Sequence, residues 1–395
     1  MKLHTRSLVH LCVSVFICGL FFLGVVACHK EDQARTAAAP AARTDWPVFR
    51  GTPDLRGVTE TPLPGQLTVA FTLKAGDSIT SSPVIGGGLL YAAAMDGLLC
   101  AFDLETRRQV WEFGLADGFE SSPLYIKEKN LLVIGGLDGL VYALSADSGR
   151  LVWKAGTGAR IMGSVNVYLG RDGTAEILAG SYDNSFYAFS LDHGKQTWSF
   201  ETGNYINGTA AVEGDRAVVG GCDAALHILD LTWGKEVTAV DTGAYIAGSA
   251  ALADGVAYVG NYAGRFLAID VERSAVLWSF SLPDQSRGFS ASPSVTDAYI
   301  VIGAKDKFLY CLDRKTGARK WRYHGSDEFE SSSLSDGVRV LAFSSDGEGT
   351  ILDLDTGRVI SSLRLGAGVK GSPALAAGYL AVGALDGSVY VFQAK

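Results

Sequence analysis

From about residue 67 onward the chain alternates short apolar runs with polar positions, and every run is bounded by a turn. The segment Gly136-Leu-Asp-Gly-Leu-Val-Tyr-Ala-Leu-Ser-Ala-Asp-Ser-Gly-Arg-Leu-Val-Trp153 matches Ala304-Lys-Asp-Lys-Phe-Leu-Tyr-Cys-Leu-Asp-Arg-Lys-Thr-Gly-Ala-Arg-Lys-Trp321 in order: turn, alternating strand, turn, closing tryptophan. The closing position is held by Phe71, Trp111, Trp153, Trp198, Thr238, Trp278, Trp321 and Ser361, at spacings of 40, 42, 45, 40, 40, 43 and 40 residues. A bulky apolar residue follows most of these by eight positions, at Ile79, Phe119, Ile161, Ile206, Ile246, Phe289, Phe329 and Val369; the longer gap before Phe289 contains Pro283 to Gly288 and predicts a surface loop. These are eight units of one internal repeat.

Each unit divides into four strands. The innermost opens at Ser-Ser-Pro or Gly-Ser, the second is exemplified by Leu89 to Ala93, the third by Leu98 to Leu104, and the fourth carries the tryptophan. Asp96-Gly97, Asp138-Gly139, Asp346-Gly347 and Asp386-Gly387 supply the positive φ that a two-residue hairpin needs, which accounts for the recurrent aspartate without a ring of metal ligands. Four antiparallel strands in 40 to 45 residues make a propeller blade, so the fold class is all-β, an eight-bladed β-propeller. The last unit ends after three strands, and Leu67 to Leu73 is an unassigned strand near the start; pairing the two closes the ring and hides both sheet edges.

Composition agrees: 48 glycines, 48% hydrophobic residues and 19% charged residues describe many tight turns around a packed core. The amino terminus is different in kind. Lys2 and Arg6 precede an apolar stretch from Leu11 to Val26, and Val25-Val26-Ala27-Cys28 resembles a bacterial lipobox, which makes residues 1–27 a lipoprotein signal peptide and Cys28 the lipid-attachment site; an uncleaved anchor or plain secretion are the alternatives. Residues 28–44 lack apolar periodicity and read as a disordered tether, and residues 45–395 as the propeller. His29 after the cysteine, by the sorting rule such lipoproteins follow, implies the outer membrane, with the propeller facing the periplasm. Losing Lys2 and Arg6 leaves 32 basic against 42 acidic residues, a formal charge of −10 that argues against nucleic acid as a partner. Cys100, Cys222 and Cys311 are an odd set at unrelated spacings and predict no disulfide framework.

The closing segments resemble the tryptophan-docking repeat of the quinoprotein alcohol dehydrogenases, Ala-x-Asp-x-x-Thr-Gly-x-x-x-Trp. Ala101, Asp103, Thr106 and Trp111 fit it, with Arg107 in place of glycine; Asp313, Thr316, Gly317 and Trp321 fit, with Cys311 in place of alanine; Asp353, Thr356 and Gly357 fit, with Ser361 in place of tryptophan. Asp45-Trp-Pro-Val-Phe-Arg-Gly51 is similar to the entry segment of such proteins. The resemblance implies that Phe71, Trp111, Trp153, Trp198, Trp278 and Trp321 dock neighbouring blades. The family of pyrroloquinoline-quinone-like (PQQ-like) repeats includes calcium- and quinone-dependent dehydrogenases and also the BamB lipoproteins of outer-membrane barrel assembly, which catalyse nothing. An adjacent Cys-Cys pair and long insertions, which the dehydrogenases carry, are missing from this sequence. The leading expectation is therefore a monomeric, non-enzymatic scaffold binding envelope proteins, without cofactor; a PQQ- and calcium-dependent dehydrogenase and a periplasmic receptor for sugar or cell-wall ligands are the alternatives.

Candidate chemistry is confined to two places. No zinc helix, nucleophile elbow or phosphate loop occurs, and the histidines are scattered. The residues after the bulky marker, Thr80, Glu120, Met162, Asn207, Ala247, Ser290, Glu330 and Lys370, would ring one channel mouth, with Arg160 and Glu328 nearby. Glu120, Arg160, Asn207, Glu330 and Lys370 are the candidate ligand residues there; Glu120 and Asn207 are of the oxygen-donor types calcium uses, and Tyr205 and Tyr245 would suit a sugar. Trp233, standing where other units have the threonine of a Thr-Gly turn, is the candidate partner-binding residue.

Overall fold

The computed structural model describes residues 45–284 and 287–393. The expected signal peptide, the expected lipid-attachment residue Cys28 and the expected tether lie outside the described residues. Eight four-stranded antiparallel sheets form blades 1 to 7 at residues 84–114, 124–156, 166–201, 211–241, 251–281, 294–324 and 334–364, and blade 8 at 374–393. Blade 8 takes its outermost strand from the start of the propeller: Val69–Lys74 pairs antiparallel with Ser388–Gln393, Val69 opposite Phe392 and Lys74 opposite Ser388. Ring closure thus follows the expected scheme, shifted by one or two residues at the strand ends.

The apolar periodicity differs between strands because their surroundings differ. Third strands such as Leu98–Asp103 and Leu140–Ser145 are buried on both faces, since a neighbouring blade covers each side. The outermost strands alternate exposed and covered positions. The cores accordingly lie between blades: one joins Val84, Tyr91, Leu99 and Trp111 of blade 1 to Tyr125, Leu132 and Tyr142 of blade 2. In every blade the pairing of third and fourth strands slips by one residue beside the closing position, as between Ala101 and Phe102 opposite Trp111, a bulge that turns the strand and aims its side chain at the next blade.

Trp111 Nε1 donates to Ala146 O at 2.9 Å, Trp153 to Leu191 O at 2.9 Å, Trp278 to Arg314 O at 3.1 Å and Trp321 to Leu354 O at 2.8 Å, each acceptor being in the following blade. Trp198 instead donates to Glu176 Oε2 within its own blade. The turn glycine of the following blade lies under the ring. A Cβ on Gly149 would stand 2.5 Å from Trp111, and one on Gly317 2.3 Å from Trp278, while φ values of 66° and 72° further disfavour any other residue. Where the docking residue is not tryptophan, the glycine is not needed. Arg107 occupies that turn after Phe71 and lays its guanidinium 4.7 Å from the phenyl centroid, and Ser274 occupies it after Thr238.

Two further devices close the ring. Eight hydroxyls form a belt around the channel: each innermost segment's backbone N–H donates to the next blade's hydroxyl, from Ser82 to Ser122, then Ser164, Thr209, Ser249, Ser292, Ser332 and Ser372, and Ser372 returns to Ser82 at 2.8 Å. The entry segment is a strap across the end of the channel where the innermost strands finish. It bonds Trp46 to Ile85 of blade 1, Pro47 O to Tyr125 N of blade 2, and Pro53 O to Asn166 Nδ2 and Val212 N of blades 3 and 4. Asp54 O then meets Leu252 N, Arg56 O meets Val295 N, and Gly57 O meets Ser335 N, so blades 5, 6 and 7 are engaged before the chain enters blade 8.

Candidate functional site

The opposite mouth stands where the innermost strands begin. All eight residues expected there, Thr80, Glu120, Met162, Asn207, Ala247, Ser290, Glu330 and Lys370, line one central cavity of ≈ 160 Å³ together with the hydroxyl belt, and Phe49 of the strap reaches it as well. Phe49 also packs against the apolar clusters on either side, giving the cavity an apolar floor.

The charges at the rim are arranged in chains. Lys370 Nζ lies 3.1 Å from Glu330, whose other oxygen is 3.4 Å from Lys305 Nζ. Lys305 also meets the Tyr262 hydroxyl at 3.3 Å; burial opposes its charge, but Tyr262 and Glu330 hold the ammonium above its ordinary pKa. Arg287 pairs with Glu328 at 3.5 Å. Arg160 places its guanidinium 4.5 Å from the Tyr182 ring centroid and, with Lys370, acts on the Glu120 carboxyl. Burial nevertheless raises the Glu120 pKa, outweighing the pull of those two cations.

Two stacked tyrosine pairs flank this network. Tyr182 and Tyr205 are parallel within 2° at 4.8 Å, and Tyr245 and Tyr262 lie 4.4 Å apart. Tyr205 is 46% exposed, so one of its faces is open to a ligand or partner. Burial and the Tyr262 hydroxyl push the Tyr245 phenol up to about 12. Tyr182, Cys222, Tyr262 and Lys305 were not among the sequence candidates. A signal for them exists: each follows the second strand of its unit and stands where Met95, Leu137, Ser345 and Leu385 precede a turn aspartate, and each backbone N–H bonds the segment that enters its own blade, as Cys222 N does with Tyr205 O.

The turn aspartates themselves are occupied. Asp138 Oδ2 accepts the Tyr142 hydroxyl at 2.5 Å, Asp183 accepts that of Tyr187 and Asp386 that of Tyr390, while in blade 4 His227 takes the tyrosine's place, Nε2 2.8 Å from Asp223 and Nδ1 2.6 Å from Glu236. Trp233 lies far from the mouth on an outer turn of blade 4, 74% exposed, its backbone N–H on Asp230 Oδ1. Among the described residues the cysteines are free, with Cys100 and Cys311 buried and Cys222 at the rim, accepting Asn207 Nδ2 at 3.1 Å.

A family model described as outer membrane protein assembly factor BamB matches residues 95–323 and 227–395. The chain belongs to the BamB family. Among solved structures it is similar to BamB from Moraxella catarrhalis, at 18% identity and a TM-score of 0.70, covering 83% of this chain and 97% of that one. It is also similar to the quinohemoprotein alcohol dehydrogenase from Comamonas testosteroni, at 15% identity and a TM-score of 0.74, covering 91% and 82%. A computationally designed protein, Ika8, aligns at 16% identity and a TM-score of 0.71, covering 82% and 98%. At these identities the structural likeness speaks to fold. No curated protein sequence matches.

The rim's donor set does not suit calcium. That ion takes six to eight oxygen ligands and favours several carboxylates. Glu120 is instead faced by two cations, Glu330 is tied between two lysines, and no group of three acidic, histidine or cysteine side chains could hold a metal among the described residues. No described helix is long and apolar enough to cross a membrane.

Proposed function

We propose that this BamB-family chain is a lipid-anchored scaffold, held by Cys28 at the outer membrane with its propeller facing the periplasm, that binds envelope proteins and serves outer-membrane β-barrel assembly. The family match across residues 95–395 carries this reading. The open mouth supports it in kind. Tyr205 and Tyr245 offer exposed aromatic faces beside Arg160 and the Lys370–Glu330–Lys305 chain, a combination of aromatic anchors and partly desolvated charges that suits a protein partner. Trp233 offers a second, separate anchor.

The test is capture of the tagged lipoprotein from its own envelope with a photo-crosslinker at Tyr205. Crosslinks to components of the barrel-assembly machinery, lost in Lys370→Glu, are expected. Capture of none of them, or crosslinks indifferent to Lys370→Glu, would reject the mouth as the interface. Loss of the captured partner in Trp233→Ala would assign the outer turn as part of the contact.

The stacked tyrosine pairs favour a second reading, a receptor for sugar or cell-wall fragments at the same mouth. Isothermal titration with such fragments distinguishes it. Turnover in a dye-linked assay with added quinone and calcium would replace both readings with a dehydrogenase.

A further inference from the structure

Arg50 sits within the strap at 1% exposure. Its Nη2 donates to Pro293 O at 3.0 Å and to Ser294 Oγ at 3.1 Å. Nε and Nη1 meet no acceptor in the described chain. The strap's other arginine is treated differently, for Arg56 pairs with Asp297 at 3.2 Å. The half-buried Arg314 likewise has Asp254, the Tyr258 hydroxyl and Ala253 O. Arg50 has no carboxylate partner among the described residues, and burial lowers its pKa to about 9 with no charge to hold it up. At that value the guanidinium is still a cation at neutral pH.

The compartment is built to that side chain. Gly57, at φ +61°, lies so close that a Cβ would stand 1.8 Å from Nη2, so backbone takes the place of any side chain there. An uncompensated buried charge is strongly destabilising, whereas a paired one is tolerated. Ordered water would satisfy the N–H donors and leave the charge unbalanced.

We infer that Arg50 is the protein half of an anion site, in which a small monovalent anion sits against Nε and Nη1 beneath the strap. One guanidinium charge calls for one negative charge, and at 1% exposure the side chain is reached by no large ligand from solvent. The anion is sealed in as the strap docks, so it binds the closed ring and not the unfolded chain. It therefore stabilises the join between the strap and blades 6 and 7 by mass action.

Crystals of the mature chain grown with bromide as the monovalent anion test the site directly. A bromine anomalous peak at hydrogen-bonding distance from Arg50 Nε and Nη1 is expected. In solution, replacing chloride by gluconate at equal ionic strength should lower the melting temperature by about 2 °C or more. Arg50→Gln should lose both the peak and the anion dependence. Water alone at those nitrogens in bromide-grown crystals, or one melting temperature in both salts, overturns the assignment; both wild-type measurements decide it even if the variant does not fold.

Discussion

The two mouths of the channel are made by the same eight innermost strands, yet one is shut and the other is left open. At the shut mouth the strap carries backbone hydrogen bonds to blade after blade and buries Trp46, Val48, Leu55 and Leu63. At the open mouth side chains do the work: ion pairs of 3.1 to 3.5 Å, stacked tyrosines and a carboxyl whose pKa is raised by burial. Backbone bonds and apolar burial hold a shape, while exposed or half-exposed ion pairs contribute little to stability and much to recognition. On the proposed function, mechanical closure and partner contact fall at opposite ends, and variation at the rim need not endanger the ring.

Removing the strap should have the largest effect. A chain starting at residue 64 keeps the blade 8 strand but loses the links to blades 1 to 7, and its melting temperature should fall by more than about 10 °C, with new proteolytic cleavage between blades. A melt within a degree or two of the parent would show that the strap merely covers the channel. Between the two mouths, Ser122→Ala leaves the Ser82 N–H without its 2.9 Å acceptor in the hydroxyl belt. Denaturant titration should register a loss of about 1–3 kcal/mol; a neutral result would mean that the belt records ring closure without supporting it.

The smallest effect belongs to the open mouth. Because the folded-state pKa of Glu120 is raised, the folded protein binds more protons than the unfolded chain over the interval between the two values, and stability falls as pH rises through it. Glu120→Gln should therefore raise the melting temperature at pH 7 by about 1–2 °C and leave it unchanged below about pH 3, where the carboxyl is protonated in both states. The opposite sign at pH 7 would show that Arg160 and Lys370 outweigh burial, making the carboxylate a stabilising part of the rim.

The repeat, the four strands within it, the eightfold count and the use of Val69–Lys74 to finish blade 8 were all legible from spacing. They are local properties: alternation of apolar residues, turns at Asp-Gly, and a marker every 40 to 45 residues. The ring of rim positions was legible for the same reason, since equivalent places in a repeat fall at equivalent places in a propeller. Tyr182, Tyr262 and Lys305 escaped notice although they too hold an equivalent place, because the turn aspartates beside that place drew the reading toward hairpin geometry alone.

What only the tertiary structure decided are the relations between distant parts of the chain. Asp45-Trp-Pro-Val-Phe-Arg-Gly51 can be recognised as an entry segment, but its course past seven blades, and the burial of Arg50 against Ser294, 244 residues away, depend on how the closed ring brings strand ends together. The pairing of a turn glycine with the preceding blade's tryptophan, and its replacement by Arg107 beside Phe71, became intelligible only once the two were seen in contact. A residue's own propensity and its near neighbours specify a blade; which groups meet across blades, and which buried charge is left without a partner, are set by packing between segments that the sequence keeps far apart.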